Sequence, residues 1–257
     1  MLLEKQALME RKTDLEENVN VIILLNKNPS FVGVNRPFDL EICGKKMWKY
    51  VELAASAYRV KTTIITPETN IFQVVKPMLT GSRWTLILYS DTPLIQKSTI
   101  EEIIEYAQTK GISALKLARG YIFDTQYLKQ ADGMASENIC HFGTEDFMVA
   151  FDARQLEFIT QIMKSRIIEF HQHNGVIIMD NNTTFIDADV VIESGVIIHP
   201  FNVIKGNSII SRSTTLKSGN IIENSIVAEG CTLLGASLLN AKISAGKTVG
   251  AFEKIEG

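Results

Sequence analysis

Cysteine is scarce in this sequence. The three residues present, Cys43, Cys140 and Cys231, are far apart and odd in number. That argues against a disulfide framework and fits reduced, buried thiols in a cytoplasmic protein. No apolar run reaches the roughly 18 residues that a bilayer-spanning helix needs. The first residues, Met1 to Asn18, are charged and lack a continuous apolar stretch, so they read as a short exposed helix or frayed leader, not a secretory signal. An excess of positive charge is missing too. Lys and Arg number 26 against 29 Asp and Glu, a net charge of −3, which gives no reason to expect nucleic acid or an anionic membrane as partner. His171 and His173 are two apart on a helix and face different directions. With no Cys or carboxylate at ligand spacing they make no zinc site and read as solvated. No Ser/His/Asp grouping is readable.

What is there is ordinary for a globular chain. Of 257 residues 46% are apolar and 21% charged, enough for one large or two modest domains. Val19 to Leu25 is an almost unbroken apolar run, as expected of a parallel strand covered on both faces. An Asn-, Pro- and Gly-rich loop, Asn26 to Pro37, follows. Apolar residues at helical spacing predict a helix over Gly44–Tyr58. Strands are expected at Lys61–Thr66 and Trp84–Tyr89. Ser98-Thr99-Ile100-Glu101 reads as a capping box opening a helix through Gln108, closed by Gly111. Tyr121 to Phe123 reads as another strand and Ala131 to Ser136 as a loop. Asp152 caps a helix over Ala153–His173 with Leu156, Ile159, Met163, Ile167 and Phe170 on one face. Strands alternating with helices predict a doubly wound sheet, which binds ligands at the carboxyl ends of its strands, here after Leu25 and after Tyr89.

From Ile186 to Ile222 every sixth residue is Ile or Leu: Ile186, Ile192, Ile198, Ile204, Ile210, Leu216 and Ile222. A 3.6-residue period would throw every other one out of the core. A sustained period of six predicts a three-faced parallel solenoid, three units to a coil, with the aliphatic residue pointing inward. The position before it, held by Val190, Val196, Asn202, Ser208, Thr214 and Asn220, also points inward at a corner. The phase then slips to Val227, Leu233 and Leu239, and again to Ile243 and Val249, so that four coils are expected. The open strand edges of the last coil are to be covered by another subunit, or by Phe252 and the final charged residues.

An α/β domain, a connecting helix and hexad repeats together resemble the bifunctional N-acetylglucosamine-1-phosphate uridyltransferase/glucosamine-1-phosphate acetyltransferase family, over about Val19 to Gly257. Leu88-Tyr89-Ser90-Asp91-Thr92-Pro93-Leu94-Ile95 is similar to the family's "LYGDVPLI", the loop with the metal-binding aspartate. Gly44-Lys45-Lys46-Met47 resembles "AGKPM", and Asp152-Ala153-Arg154-Gln155-Leu156 resembles "NNRLQL". Gly175 to Asp180 is similar to "GVxxxD", and Val196 to Pro200 to "VIHPG". The resemblance implies a reduced, Rossmann-like nucleotidyltransferase domain followed by a left-handed parallel β-helix. The expected boundaries are 1–18 leader, 19–151 α/β domain, 152–175 connector helix and 176–257 β-helix. It also implies Mg²⁺ at Asp91 and Asp152, a nucleotide sugar as ligand, and a homo-oligomer, a trimer.

The departures bear on turnover. The family's "LAAGxGTRM" loop needs glycine so that backbone N–H groups can approach phosphate. Here Leu25-Asn26-Lys27-Asn28-Pro29-Ser30-Phe31 has none. The family's "PK" lysine falls on Phe38, the stretch between Lys61 and Trp84 is too short for the base-reading segment, and the acetyl-transfer residues lie beyond Gly257. Leu25, Asn26, Lys27 and Arg36 are the candidate nucleotide contacts. Lys27 and Arg36 act there as point charges or else are solvated loop residues. Asp91 and Asp152 bind metal, or else cap a turn and a helix. His199 faces outward in the repeats and is either an acyl-transfer base or unremarkable surface. Cys231 is a packed corner. Three readings stay open: a nucleotidyltransferase-like protein, weak or inactive in turnover, that binds a nucleotide sugar; a non-catalytic scaffold; and a hexapeptide acyltransferase.

Overall fold

The computed structural model describes residues 18–28, 30–31, 33–131, 133, 139–140 and 142–257. The expectations for residues 1–17, for most of the 131–136 loop and for the side chain of Cys140 lie outside the described residues. The chain forms two compact units. One comprises the described residues up to Leu40 together with Lys46–Ile159, and the other comprises Glu41–Lys45 and Thr160–Gly257. Among the described residues no helix is long and apolar enough to cross a membrane.

Up to residue 152 the elements are β1 (Val19–Asn26), β2 (Glu41–Ile42), β3 (Lys45–Lys46), α1 (Met47–Ala54), β4 (Arg59–Ile65), α2 (Ile71–Val75), β5 (Trp84–Tyr89), α3 (Lys97–Lys110), β6 (Ala114–Leu117), β7 (Gly120–Asp124), α4 (Thr125–Gln130) and β8 (Ile139–Cys140). The main sheet has the order β4-β1-β5-β7-β6-β8. As its unbroken apolar run requires, β1 is central and parallel to both neighbours. Val19, Val21, Ile23 and Leu25 pack on one face of the sheet with Ile100, Ile103 and Ile104 of α3. Ile22 and Leu24 pack on the other with Ile87 and Phe123.

The doubly wound expectation is corrected at one interior strand, because β7 runs antiparallel to both β5 and β6. A two-residue connection, Ala118-Arg119, joins β6 to β7, too short for a crossover and the right length for a hairpin. Gly120 lets this hairpin dock. Its φ is +136°, and a Cβ there would meet the Ile87 carbonyl oxygen, so Gly120→Ala is expected to lower stability by about 2 kcal/mol or more. Urea unfolding would check this; a neutral Gly120→Ala would refute the close approach.

Two helix starts also differ from expectation. α1 begins at Met47, not Gly44, because Gly44 lies at φ +74° and the chain is extended at Lys45 and Lys46. Ser98 does not cap α3. The helix starts earlier, with Gln96 at the cap position and no side-chain cap bond. The Thr99 hydroxyl and the Gln96 side-chain amide both donate to the buried Asp146 carboxylate, which ties the start of the helix to the 143–147 turn. Gly111 ends α3 in the left-handed conformation, as read from the sequence.

In the second unit the hexads form three parallel sheets, which stack the coils of a β-helix. Ile186, Ile204, Ile222, Leu238 and Ile255 are in register on one face, and Ile192, Ile210, Val227 and Ile243 on the second. Ile178, Ile198, Leu216, Leu233 and Val249 make the third. The expected Leu239 is corrected to Leu238, which is buried while Leu239 is only partly so. Some units hold five residues instead of six, and left-handed corners at Asn224, Gly235 and Asn240 make the tighter turns. The inward corner positions are buried as expected. Asn220 Nδ2 donates to Asn202 Oδ1 (2.8 Å) and to the Lys217 carbonyl (2.6 Å), so the buried amides satisfy one another from coil to coil. Cys231 is packed at its corner. Phe252 is 96% exposed and does not cover the last coil.

Glu41–Lys45 is held by the first coil. The Ala188 amide donates to the Cys43 carbonyl, and Lys45 pairs with Asp189 at 2.6 Å. Burial pushes the Cys43 thiol up to about 11. The long helix α5 (Ala153–His173) belongs to this unit from Thr160 on. There its buried side chains are Met163, Lys164, Ile168 and His171, while Phe170, expected inward, is exposed. His171, expected to be solvated, is 3% exposed. Burial holds its imidazole below the ordinary histidine range, so the unfolded chain takes up the proton more readily. The stability that neutral His171 supports is present above its unfolded pKa of about 6.5 and is lost as pH falls through and below it. Urea midpoints between pH 7 and pH 5 are expected to fall, less steeply in His171→Gln; equal slopes would refute this.

Candidate functional site

The site is set by strand register. Leu88 of β5 lies opposite Gly120 of β7, so the hairpin residue Arg119 comes beside the end of β5, where the chain continues as Tyr89-Ser90-Asp91. On the other side β1 ends at Asn26, and the carbonyl of Leu24, two residues earlier, accepts the Ser90 amide at 3.0 Å. Asn26, Tyr89, Asp91 and Arg119 therefore meet at the carboxyl ends of the strands.

Their side chains form one connected network. Asn26 Nδ2 donates to Asp91 Oδ2 at 2.7 Å, and the Ser90 hydroxyl donates to Asn26 Oδ1 at 2.7 Å. Arg119 grips the same carboxylate with two bonds, Nε to Oδ1 at 3.1 Å and Nη2 to Oδ2 at 2.6 Å. Its guanidinium carbon sits 4.0 Å from the Tyr89 ring centroid. Asp91 is 2% exposed. Burial works against the Arg119 charge, but the Asp91 carboxylate outweighs it and holds the guanidinium above its ordinary pKa. Burial pushes the Tyr89 phenol up to about 12.

The network floors an open cleft of about 420 Å³, within the range of roughly 300–1,000 Å³ usual for small-molecule sites. Asn26, Lys27, Asn28, Thr66, Thr69 and Arg119 supply polar groups, and Ile65, Ile71, Val149 and Phe151 apolar ones. Of the residues singled out from the sequence, Asn26, Lys27 and Asp91 come together here. Leu25, Arg36 and Asp152 are not among its lining residues. Leu25 is buried in the core. Arg36 pairs with Asp39 at 2.6 Å. Asp152 accepts the Gln155 amide at 2.8 Å as the cap of α5. The side chain of His199 is partly buried and its carbonyl accepts from Asn202.

The donor set does not fit a divalent cation. Asp91 is the one carboxylate among the described lining residues; it already accepts three hydrogen bonds, two of them from a guanidinium whose positive charge opposes a nearby cation, and Asp152 is engaged at a helix start. Among the described residues no group of three His, Cys, Asp or Glu could hold a metal. Arg119 is the residue that sequence reasoning missed. The available signal was an arginine in a two-residue hairpin turn directly before a glycine.

No protein-family model matches the chain. The bifunctional protein GlmU of Clostridium acetobutylicum is 31% identical over 145 residues, 54% of this chain and 32% of the relative. GlmU of Clostridioides difficile is 28% identical over 132 residues, 51% of this chain and 29% of the relative. GlmU of Clostridium botulinum strain Langeland is 36% identical over 111 residues, 43% and 24%. The matches thus span about a third or less of the length of these curated relatives. Among solved structures, molybdopterin-guanine dinucleotide biosynthesis protein A of Archaeoglobus fulgidus aligns with a TM-score of 0.44 and 13% identity, over 57% of this chain and 99% of that one.

Proposed function

From a GlmU-like chain, matched over about half its length, we propose that the first unit is a nucleotidyltransferase-like module that binds a nucleotide sugar in the strand-end cleft without catalysing Mg²⁺-dependent nucleotidyl transfer. One observation carries the reading: the carboxylate of Asp91, where the family resemblance places the metal ligand, is engaged by Arg119 and Asn26. In nucleotidyl transfer the attacked phosphate gains charge, and a divalent cation normally neutralises it while the two reactants are held in line. Among the described lining residues Asp91 is the one carboxylate, so no carboxylate pair offers a place for that cation there, and the Leu25–Phe31 loop lacks the glycines that would let backbone amides cradle the phosphates. The cleft itself keeps size, apolar walls and hydrogen-bond donors, which are what binding requires. The β-helix serves as the oligomerisation surface, with a trimer as the expected assembly.

The test is a thermal-shift panel with UTP and UDP-N-acetylglucosamine, each in Mg²⁺ and in EDTA, beside a pyrophosphate-release assay. A ligand at about a hundred times its Kd stabilises by about 2.7 kcal/mol, which for a chain of this size is roughly 5–11 °C. The expected result is a shift of that size in both conditions and no pyrophosphate release. Release that needs Mg²⁺ and disappears in Asp91→Asn would sink the proposal. No shift with either nucleotide would leave the non-catalytic scaffold as the reading that stands.

A further inference from the structure

We propose that the Arg119 guanidinium, clamped by Asp91 and Asn26 and stacked on Tyr89, stands in for a divalent cation and takes the phosphate of a phosphate-bearing ligand in this cleft. The inference rests on the nucleotide-binding reading and adds to it which group carries the recognition.

Three observations support it. The first is charge. Among the described lining residues the ionisable charges are Lys27, Arg119 and Asp91, so two cations face one anion and the cleft is positive by one unit. Such a cleft takes an anionic ligand. The second is the geometry of the clamp. Arg119 spends Nε and Nη2 on Asp91. Among the described residues Nη1 has no hydrogen-bond partner, and the side chain is 33% exposed. A guanidinium fixed along one edge by a carboxylate, and on one face by an aromatic ring, is already oriented. Binding a phosphate through its remaining N–H groups therefore costs little further side-chain entropy. The third is position. The arginine lies where strand ends converge, the place at which α/β sheets bind ligands. An ammonium on a flexible stem, such as exposed Lys27 at the same rim, adds a second point charge.

Asp91 then acts as a positioning residue: it orients the arginine and does not itself touch the ligand. A structural ion pair that merely ties the hairpin to β5 would be indifferent to phosphate.

The probes are inorganic pyrophosphate and UDP-N-acetylglucosamine, titrated calorimetrically into the full chain in Mg²⁺ and in EDTA. Affinity in Mg²⁺ no higher than in EDTA is expected, since Mg²⁺ bound to free pyrophosphate competes with the guanidinium. Arg119→Met is expected to weaken binding about 10- to 100-fold, the worth of a charged hydrogen bond. Because that variant leaves Asp91 unpaired, the double variant Asp91→Asn, Arg119→Met is the control. It should regain most of the melting temperature lost in Arg119→Met and show the same loss of binding. Binding that requires Mg²⁺, or undiminished affinity in the double variant, overturns the role of Arg119 and leaves the nucleotide-binding reading in place. Failure of the wild type to bind either probe overturns both. A separate readout uses Mn²⁺ alone: the free-ion EPR signal should be the same with wild type and with Asp91→Asn, and an Asp91-dependent loss of signal would also overturn the proposal.

Discussion

Truncating Ile210 to alanine is expected to lower the stability of the β-helix by about 3–4 kcal/mol, and Ile210→Asp to prevent the surrounding coils from forming. Ile210 is fully buried and stacks in register between Ile192 and Val227. Coils repeat at about 4.8 Å, so the atoms removed cannot be replaced by movement of a neighbouring coil without breaking its own ladder. The variant loses the transfer free energy of the side chain and also keeps most of the cavity, which places it in the range of about 2–5 kcal/mol for large-to-small core changes. A melting point lower by roughly 6–16 °C follows. Val191→Ala, on the outward side of the same face and half exposed, should change stability by less than about 0.5 kcal/mol. Urea unfolding followed by far-UV circular dichroism compares the two; equal midpoints would show that the inward column is not what holds the solenoid.

Arg119→Ala is the second large effect, at about 2–4 kcal/mol. The variant leaves a carboxylate at 2% exposure with the Asn26 amide as its remaining side-chain donor among the described residues, and an unpaired buried charge costs several kcal/mol. The pair is not symmetric. Asp91→Asn leaves a guanidinium that is a third exposed and able to reach water, so its cost is expected to be nearer 1 kcal/mol. Combining Asp91→Asn with Arg119→Ala should recover about 1.5–3 kcal/mol of the Arg119→Ala loss, because neither charge then remains to be compensated. A double-mutant cycle in urea measures this directly. Strict additivity of the two single changes would mean that the two groups do not act as a pair.

The β-helix was the part most legible in the sequence. Its period is a local property. A six-residue unit closes one short strand and one corner, and the same burial recurs at each coil, so spacing alone placed Ile186 through Ile222 in the interior. Legibility failed where units lost a residue. Leu238 and Leu239 are both leucine, and only the tight corners at Gly235 and Asn240 decide which of them turns inward. The long helix was misread for another reason: its apolar pattern nominated Phe170, but His171 is buried there and Phe170 exposed, because the face turned inward is set by packing and not by residue type.

The sequence by itself determined the class of each half and the strand ends at which a ligand site would lie. Val19–Leu25 had to be a covered central strand, and Asn26 and Asp91 lie where two apolar runs, Val19–Leu25 and Trp84–Tyr89, give out. Only the tertiary structure decided what Asp91 does. Its partner Arg119 lies 28 residues away, in a turn with no periodic signal, and reaches the carboxylate because antiparallel pairing aligns Gly120 with Leu88. Periodicity is encoded among neighbours in the chain, whereas the pairing of two charges depends on a register fixed only when separate strands meet.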